Sequence, residues 1–221
     1  KRLIRLLGDE LQQRRDLHEL GVDPQGARRP GISRDSNDTV WDFLPLKIAR
    51  GAPNFTDFPH LDLALRRDNA SASITIPNGI RGGFKGRLQA VGQEGFVDLL
   101  LQIEKRTRRV LKKSTDAKAL VYATQRHYRS QSAVADVDAR LEVDLRTIVP
   151  GKGQAVKYQP QWVHAIYEVM THKRSNIQLG LEMQFSYECP AVRSPAAVNL
   201  FAKSWLAMSP VLSLAVGACS R

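Results

Sequence analysis

Four stretches of this chain alternate apolar with mostly polar residues, and nothing else in it restricts the fold as much. Leu61, Leu63 and Leu65 are interleaved with Asp62, Ala64 and Arg66, and Ala72, Ile74 and Ile76 with Ser71, Ser73 and Thr75. Further along, Ala139, Leu141, Val143 and Leu145 alternate with Arg140, Glu142, Asp144 and Arg146. Ile177, Leu179, Leu181, Met183 and Phe185 do the same against Gln178, Glu182, Gln184 and Ser186. Successive side chains of an extended chain point to opposite faces, so each stretch reads as a strand with one apolar and one polar side. Such strands build antiparallel sheets with one face packed and the other wet. A doubly wound parallel sheet would need strands apolar on both faces, and that class is disfavoured. The first two strands are joined by Arg67-Asp68-Asn69, a hairpin signal. Residues 119–128 are rich in β-forming residues and supply one more strand.

Helical periodicity fills much of the remainder. Residues 1–20 set Leu3, Leu7, Leu11 and His18 near one face, widened by Leu6 and Leu17. Residues 94–113 form the clearest helix. Phe96, Leu99, Leu100, Ile103, Val110 and Leu111 share a side opposite Asp98, Gln102, Lys105, Arg109 and Lys112. Residues 161–173 sort better on a helical wheel than on a strand. Residues 194–216 open with Ser194 as cap and Pro195 at the first helical position, then run apolar nearly all round. Lys203 near the middle and Pro210 argue for a buried helix there rather than a membrane span. Residues 21–39, rich in Gly, Pro, Arg and Asp, read as a long loop or arm. The expected fold is a single two-layer α+β domain over 1–221. It has a mostly antiparallel or mixed sheet of five or six strands, with three or four helices on one face.

Charge points to a class of partner. Lys and Arg total 33 against 22 Asp and Glu, a net charge of +11, and arginine outnumbers lysine two to one. An excess of that size attracts polyanions, of which nucleic acid, DNA or RNA, is the commonest. Two places concentrate it. Residues 78–87, NGIRGGFKGR, combine backbone-exposing glycines with Arg81, Lys85 and Arg87 as phosphate contacts and Phe84 as a ring to stack on a base. Residues 105–113, KRTRRVLKK, crowd six cations into the end of a helix, including Arg109, Lys112 and Lys113. Helix-dipole complementarity accounts for one or two of them.

No motif names a reaction. Nucleotide-binding fingerprints and a nucleophile elbow are missing from the chain. Glu182 and Gln184 on one strand face resemble the E-x-Q variant of the restriction-endonuclease pattern, with Asp144 or Glu142 as partners. Such a cluster would hold a divalent metal for a nuclease step. Asp116-Ala117-Lys118 is a D-x-K match of the same kind. His164, Glu168 and His172 recur every four residues along a helix, and adjacent members could share one metal ion. The outer two are about 12 Å apart along the axis, so all three cannot. No other cofactor is indicated. Cys189 and Cys219 stand alone, which suits the cytoplasm. The leading expectation is a nucleic-acid-binding domain with nuclease activity as its enzymatic extension. The alternatives are an enzyme or binding protein for a small acidic metabolite, or a structural homo-oligomer formed through the C-terminal apolar helix.

Overall fold

The computed structural model describes residues 2–25, 33–34, 39–52, 57–77, 83–112, 114, 116–127, 136–151, 156–172 and 177–217. Its sheet comprises β1 (Ser33–Arg34), β2 (Val40–Pro45), β3 (His60–Leu65), β4 (Asn69–Ile76), β5 (Lys118–His127), β6 (Asp136–Asp144) and β7 (Ile177–Ser186). Their spatial order is β1-β2-β3-β4-β7-β5-β6, and every neighbouring pair is antiparallel. Six strands are full length and β1 has only two residues. The expected class, α+β with an antiparallel sheet, is what is found.

The alternation places the core. Leu61, Leu63, Ala72, Ile74, Leu181, Met183, Phe185 and Val121 are buried in one cluster shared with the helices. Those helices are α1 (Arg2–Gln13), α2 (Arg15–Glu19), α3 (Phe84–Leu111), α4 (Gln161–Thr171), α5 (Ala196–Met208) and α6 (Pro210–Val216). Phe96, Leu100 and Ile103 of α3 are fully buried, as their spacing requires. Phe96 lies 6.1 Å from Tyr167 of α4, and Phe185 of β7 meets Phe201 of α5 edge to face at 6.3 Å. Trp205 of α5 is buried and donates its indole N–H to the Ser73 carbonyl at 2.9 Å. Lys203 of the same helix is exposed. The apolar C-terminal segment is thus spent on this chain's own core, and Pro210 divides it in two. No helix among the described residues is long and apolar enough to cross a membrane.

Several boundaries differ from expectation. The N-terminal helix turns about Ile4 and Leu11, which are buried, and leaves Leu3 and Leu6 exposed. The strand beginning near Ala139 stops at Asp144, because the Asp144 carboxylate accepts the Arg146 N–H at 2.9 Å and starts a 3-10 turn over Leu145–Ile148. In the 21–39 segment, Val22 forms a β-bridge with Leu46, and the Asp23 carboxylate binds Arg50 at 2.6 Å. Its residues 26–32 and 35–38 lie outside the described residues.

Candidate nucleic-acid interface

The last turns of α3 carry the basic surface. Ile103, Glu104 and Thr107 face the core and are buried, which forces the residues between them outward at about 100° per residue. Lys105, Arg106, Arg108, Arg109 and Lys112 are all exposed, on the arc opposite the buried one. Arg108 is held by Glu104 through two bonds of 2.8 and 2.7 Å. Among the described residues, Lys105, Arg106, Arg109 and Lys112 have no carboxylate partner, so their charge is open to solvent. Lys113 lies outside the described residues. At the foot of the helix, Lys112, Ser114, Asp116, Ser186, Glu188 and Cys189 line a cavity of about 400 Å³.

The glycine-rich stretch is built differently from expectation. Residues 78–82, Arg81 among them, lie outside the described residues. Gly92, at φ 72° and ψ 175°, breaks α3 in two, and the second part, from residue 93, is the helix expected over 94–113. Gly83 sits at φ 72°, and helical residues begin immediately after it. Phe84 therefore occupies the first turn of a packed helix and is 2% exposed, so its ring is not offered to a base. The Lys85 ammonium donates to the His172 carbonyl just beyond α4. Arg87 donates through Nε to the Leu214 carbonyl at 2.7 Å and through Nη2 to that of Ala215. Carbonyls at a helix C-terminus lack intrahelical partners, and these two cations supply them. Lys85 and Arg87 tie helices together, at the opposite end of α3 from Arg109 and Lys112. The break at Gly92 lies between the two pairs. Of the expected phosphate contacts among the described residues, Lys85 and Arg87 are engaged by main-chain carbonyls, and Arg109 and Lys112 are exposed.

The four carboxylate and amide candidates do share a face, the one turned away from the core. Glu182 lies beside Leu120, and Leu120 beside Asp144, in one cross-strand row; Gly180, Tyr122 and Glu142 form the next. Gln184 is on the same side of β7. Glu182 is 1% exposed, with Arg66 at 2.6 Å and Arg140 at 3.4 Å. Arg140 also binds Glu142 at 2.7 Å, and its guanidinium carbon lies 3.7 Å from the centroid of the Tyr122 ring. Burial works against the Arg140 charge, but Tyr122, Glu142 and Glu182 outweigh it and hold its pKa above the ordinary value. Asp144 is bound by Arg146 at 2.6 Å, and this bond raises the Arg146 pKa. A divalent cation would have to displace guanidinium groups at each of these sites.

The remaining candidates are dispersed. His164 is half-buried and Glu168 exposed on α4, whereas His172 lies past the helix end in extended backbone. Asp116 is exposed in a turn and Lys118 opens β5. No group of three His, Cys, Asp or Glu residues among the described residues is placed to hold a metal ion. Arg66, Arg140, Tyr122 and Thr124, which organise the polar face, were not indicated by any motif. Arg66 and Glu182 are 116 positions apart, and only the strand order brings them together. No family model matches the chain, and comparison with curated proteins and with solved structures finds no significant match.

Proposed function

We propose that this protein binds nucleic acid, DNA or RNA, through the outer arc of α3 formed by Lys105, Arg106, Arg109 and Lys112. The observation that carries the reading is their exposure, without carboxylate partners among the described residues, at one end of a packed helix. Side chains on one rigid helix face keep their spacing, which suits a repeating row of phosphates. Their number exceeds what the helix dipole rewards, and the overall charge of +11 has the same sign. A hydrolytic extension has less behind it, since Glu182, Glu142 and Asp144 are engaged by arginines. Cys189, a free thiol, suits a reducing compartment such as the cytoplasm.

The experiment is a salt titration of affinity for duplex and single-stranded oligonucleotides. Each neutralised phosphate contributes about 0.9 to the slope of log affinity against log salt on duplex DNA. Replacing Lys105, Arg109 and Lys112 together by Ala should reduce that slope by about two to three without lowering the melting temperature. Failure of the wild-type protein to bind either oligonucleotide at about 50 mM salt would reduce the basic arc to a solubility feature.

A further inference from the structure

Two turns meet at the foot of α3. In the first, the Lys112 N–H donates to the Arg108 carbonyl at 3.1 Å, and the Ser114 N–H returns to the Leu111 carbonyl at 2.9 Å. In the second, which follows β7, the Ser186 carbonyl accepts the Cys189 N–H at 3.0 Å and the Ser186 hydroxyl accepts the Glu188 N–H at 3.1 Å. Lys118 is paired with Gln184 across the ladder, so the chain enters β5 beside the place where it leaves β7. The cavity of about 400 Å³ is lined by residues of both turns. Backbone hydrogen bonds hold these turns, so much of its wall is fixed before a ligand arrives.

That wall is chemically mixed. Leu111 and Pro190 are apolar, and Cys189 adds a free thiol on a residue only 7% exposed. Lys112, Asp116 and Glu188 are exposed, so the cavity is reached from solvent. None of these three side chains forms an ion pair or hydrogen bond with another described residue. One ammonium and two carboxylates therefore border the same space without neutralising one another. This local excess of carboxylate is opposite in sign to the +11 of the whole chain. It favours a ligand with more positive than negative groups, and the volume falls among small-molecule sites of about 300–1,000 Å³.

We infer that this cavity binds a free basic amino acid. The two cationic groups of the ligand pair with Asp116 and Glu188, its carboxylate pairs with Lys112, and its methylenes lie against Leu111 and Pro190. Charges then match in number, two cations to two carboxylates and one carboxylate to one ammonium. The site does not rest on the nucleic-acid reading, although Lys112 belongs to both surfaces.

The probes are L-lysine and L-arginine, offered to the full chain in calorimetry at millimolar concentration, where both should bind. Three relatives of lysine each lack one group: cadaverine the carboxylate, Nα-acetyllysine the α-ammonium, and norleucine the side-chain cation. Each should bind about fivefold more weakly than lysine, the worth of one exposed ion pair. Asp116→Asn and Glu188→Gln keep the shape and lose the charge at exposed positions. Each should weaken lysine binding about fivefold and leave the melting temperature unchanged. Neither alters Lys105, Arg106 or Arg109, so a failure here is distinguishable from a failure of oligonucleotide binding. Absence of binding by lysine and arginine overturns the inference. So does cadaverine binding as tightly as lysine, or wild-type affinity for lysine in either variant.

Discussion

A methyl group at position 180 would collide with the Tyr122 ring, and that ring is pinned from above by Arg140. Gly180→Ala should therefore destabilise the protein by about 1–3 kcal/mol, the usual cost of overfilling a packed site. In a Tyr122→Ala background the same change should be neutral or stabilising, because alanine restricts the unfolded chain more than glycine does. Chemical denaturation of the four proteins of the cycle measures the coupling, and a penalty independent of Tyr122 would refute the packing argument. Asp23 shows a different dependence. Its side chain is 5% exposed, and hydrogen bonding from Arg50 holds its pKa below the ordinary carboxylate value against the opposing effect of burial. A depressed folded-state pKa means stability that is complete above the unfolded value of about 3.9 and disappears as pH falls through the lower one. Asp23→Asn should lower the melting temperature at neutral pH, and the gap to wild type should close on acidification. An equal gap at both ends of the titration would show that the charge is not involved. Neither residue could be singled out in the sequence. Gly180 looked like one more residue in an alternating strand, and Asp23 like part of a loose loop.

The first part of α3 was not legible from pattern. The 28 residues of α3 are two helices in series, broken at Gly92, and apolar periodicity is clear in the second, from residue 94 onward. Phe84 and Leu88 carry the same buried stripe four residues apart, but Gly83, Gly86, Gly92 and Gly95 surround them, and glycine lowers helix propensity by about 1 kcal/mol per residue. Tertiary packing overrides that cost, except at Gly92, where φ 72° and ψ 175° break the helix in two. That conformation is essentially closed to residues with a side chain. Gly92→Ala should cost about 1–3 kcal/mol although nothing crowds the position. A variant as stable as wild type, judged by urea midpoint, would mean that α3 can straighten. Strands β3, β4, β6 and β7 were legible because a period of two survives any tertiary context that keeps one face dry, and β5 through its β-forming residues. Strand β2 was not, since Val40-Trp41-Asp42-Phe43-Leu44-Pro45 does not alternate apolar with polar residues. Of the site, the α3 cations were readable as a run of charge. The roles of Phe84, Lys85 and Arg87 depended on where that helix begins.

The strand order has the broadest consequences. β7 lies between β4 and β5, and it alone joins β1-β2-β3-β4 to β5-β6. Its register runs over eight residues with each neighbour. The two groups of strands should consequently unfold together. Tryptophan fluorescence and backbone circular dichroism should give one coincident denaturant transition, and amides of β4, β5 and β7 should exchange last. Separate transitions would mean that one group is stable without the other. The same order imposes a schedule on synthesis. About one hundred residues separate the end of β4 from the start of β7. At about 5–20 residues per second, roughly 5–20 s pass with β4 complete and its second edge unpaired. For that interval the nascent chain offers an unsatisfied row of backbone groups beside Ile74 and Ile76. A holding chaperone, or a delay in release from the ribosome, would act on this protein at that step.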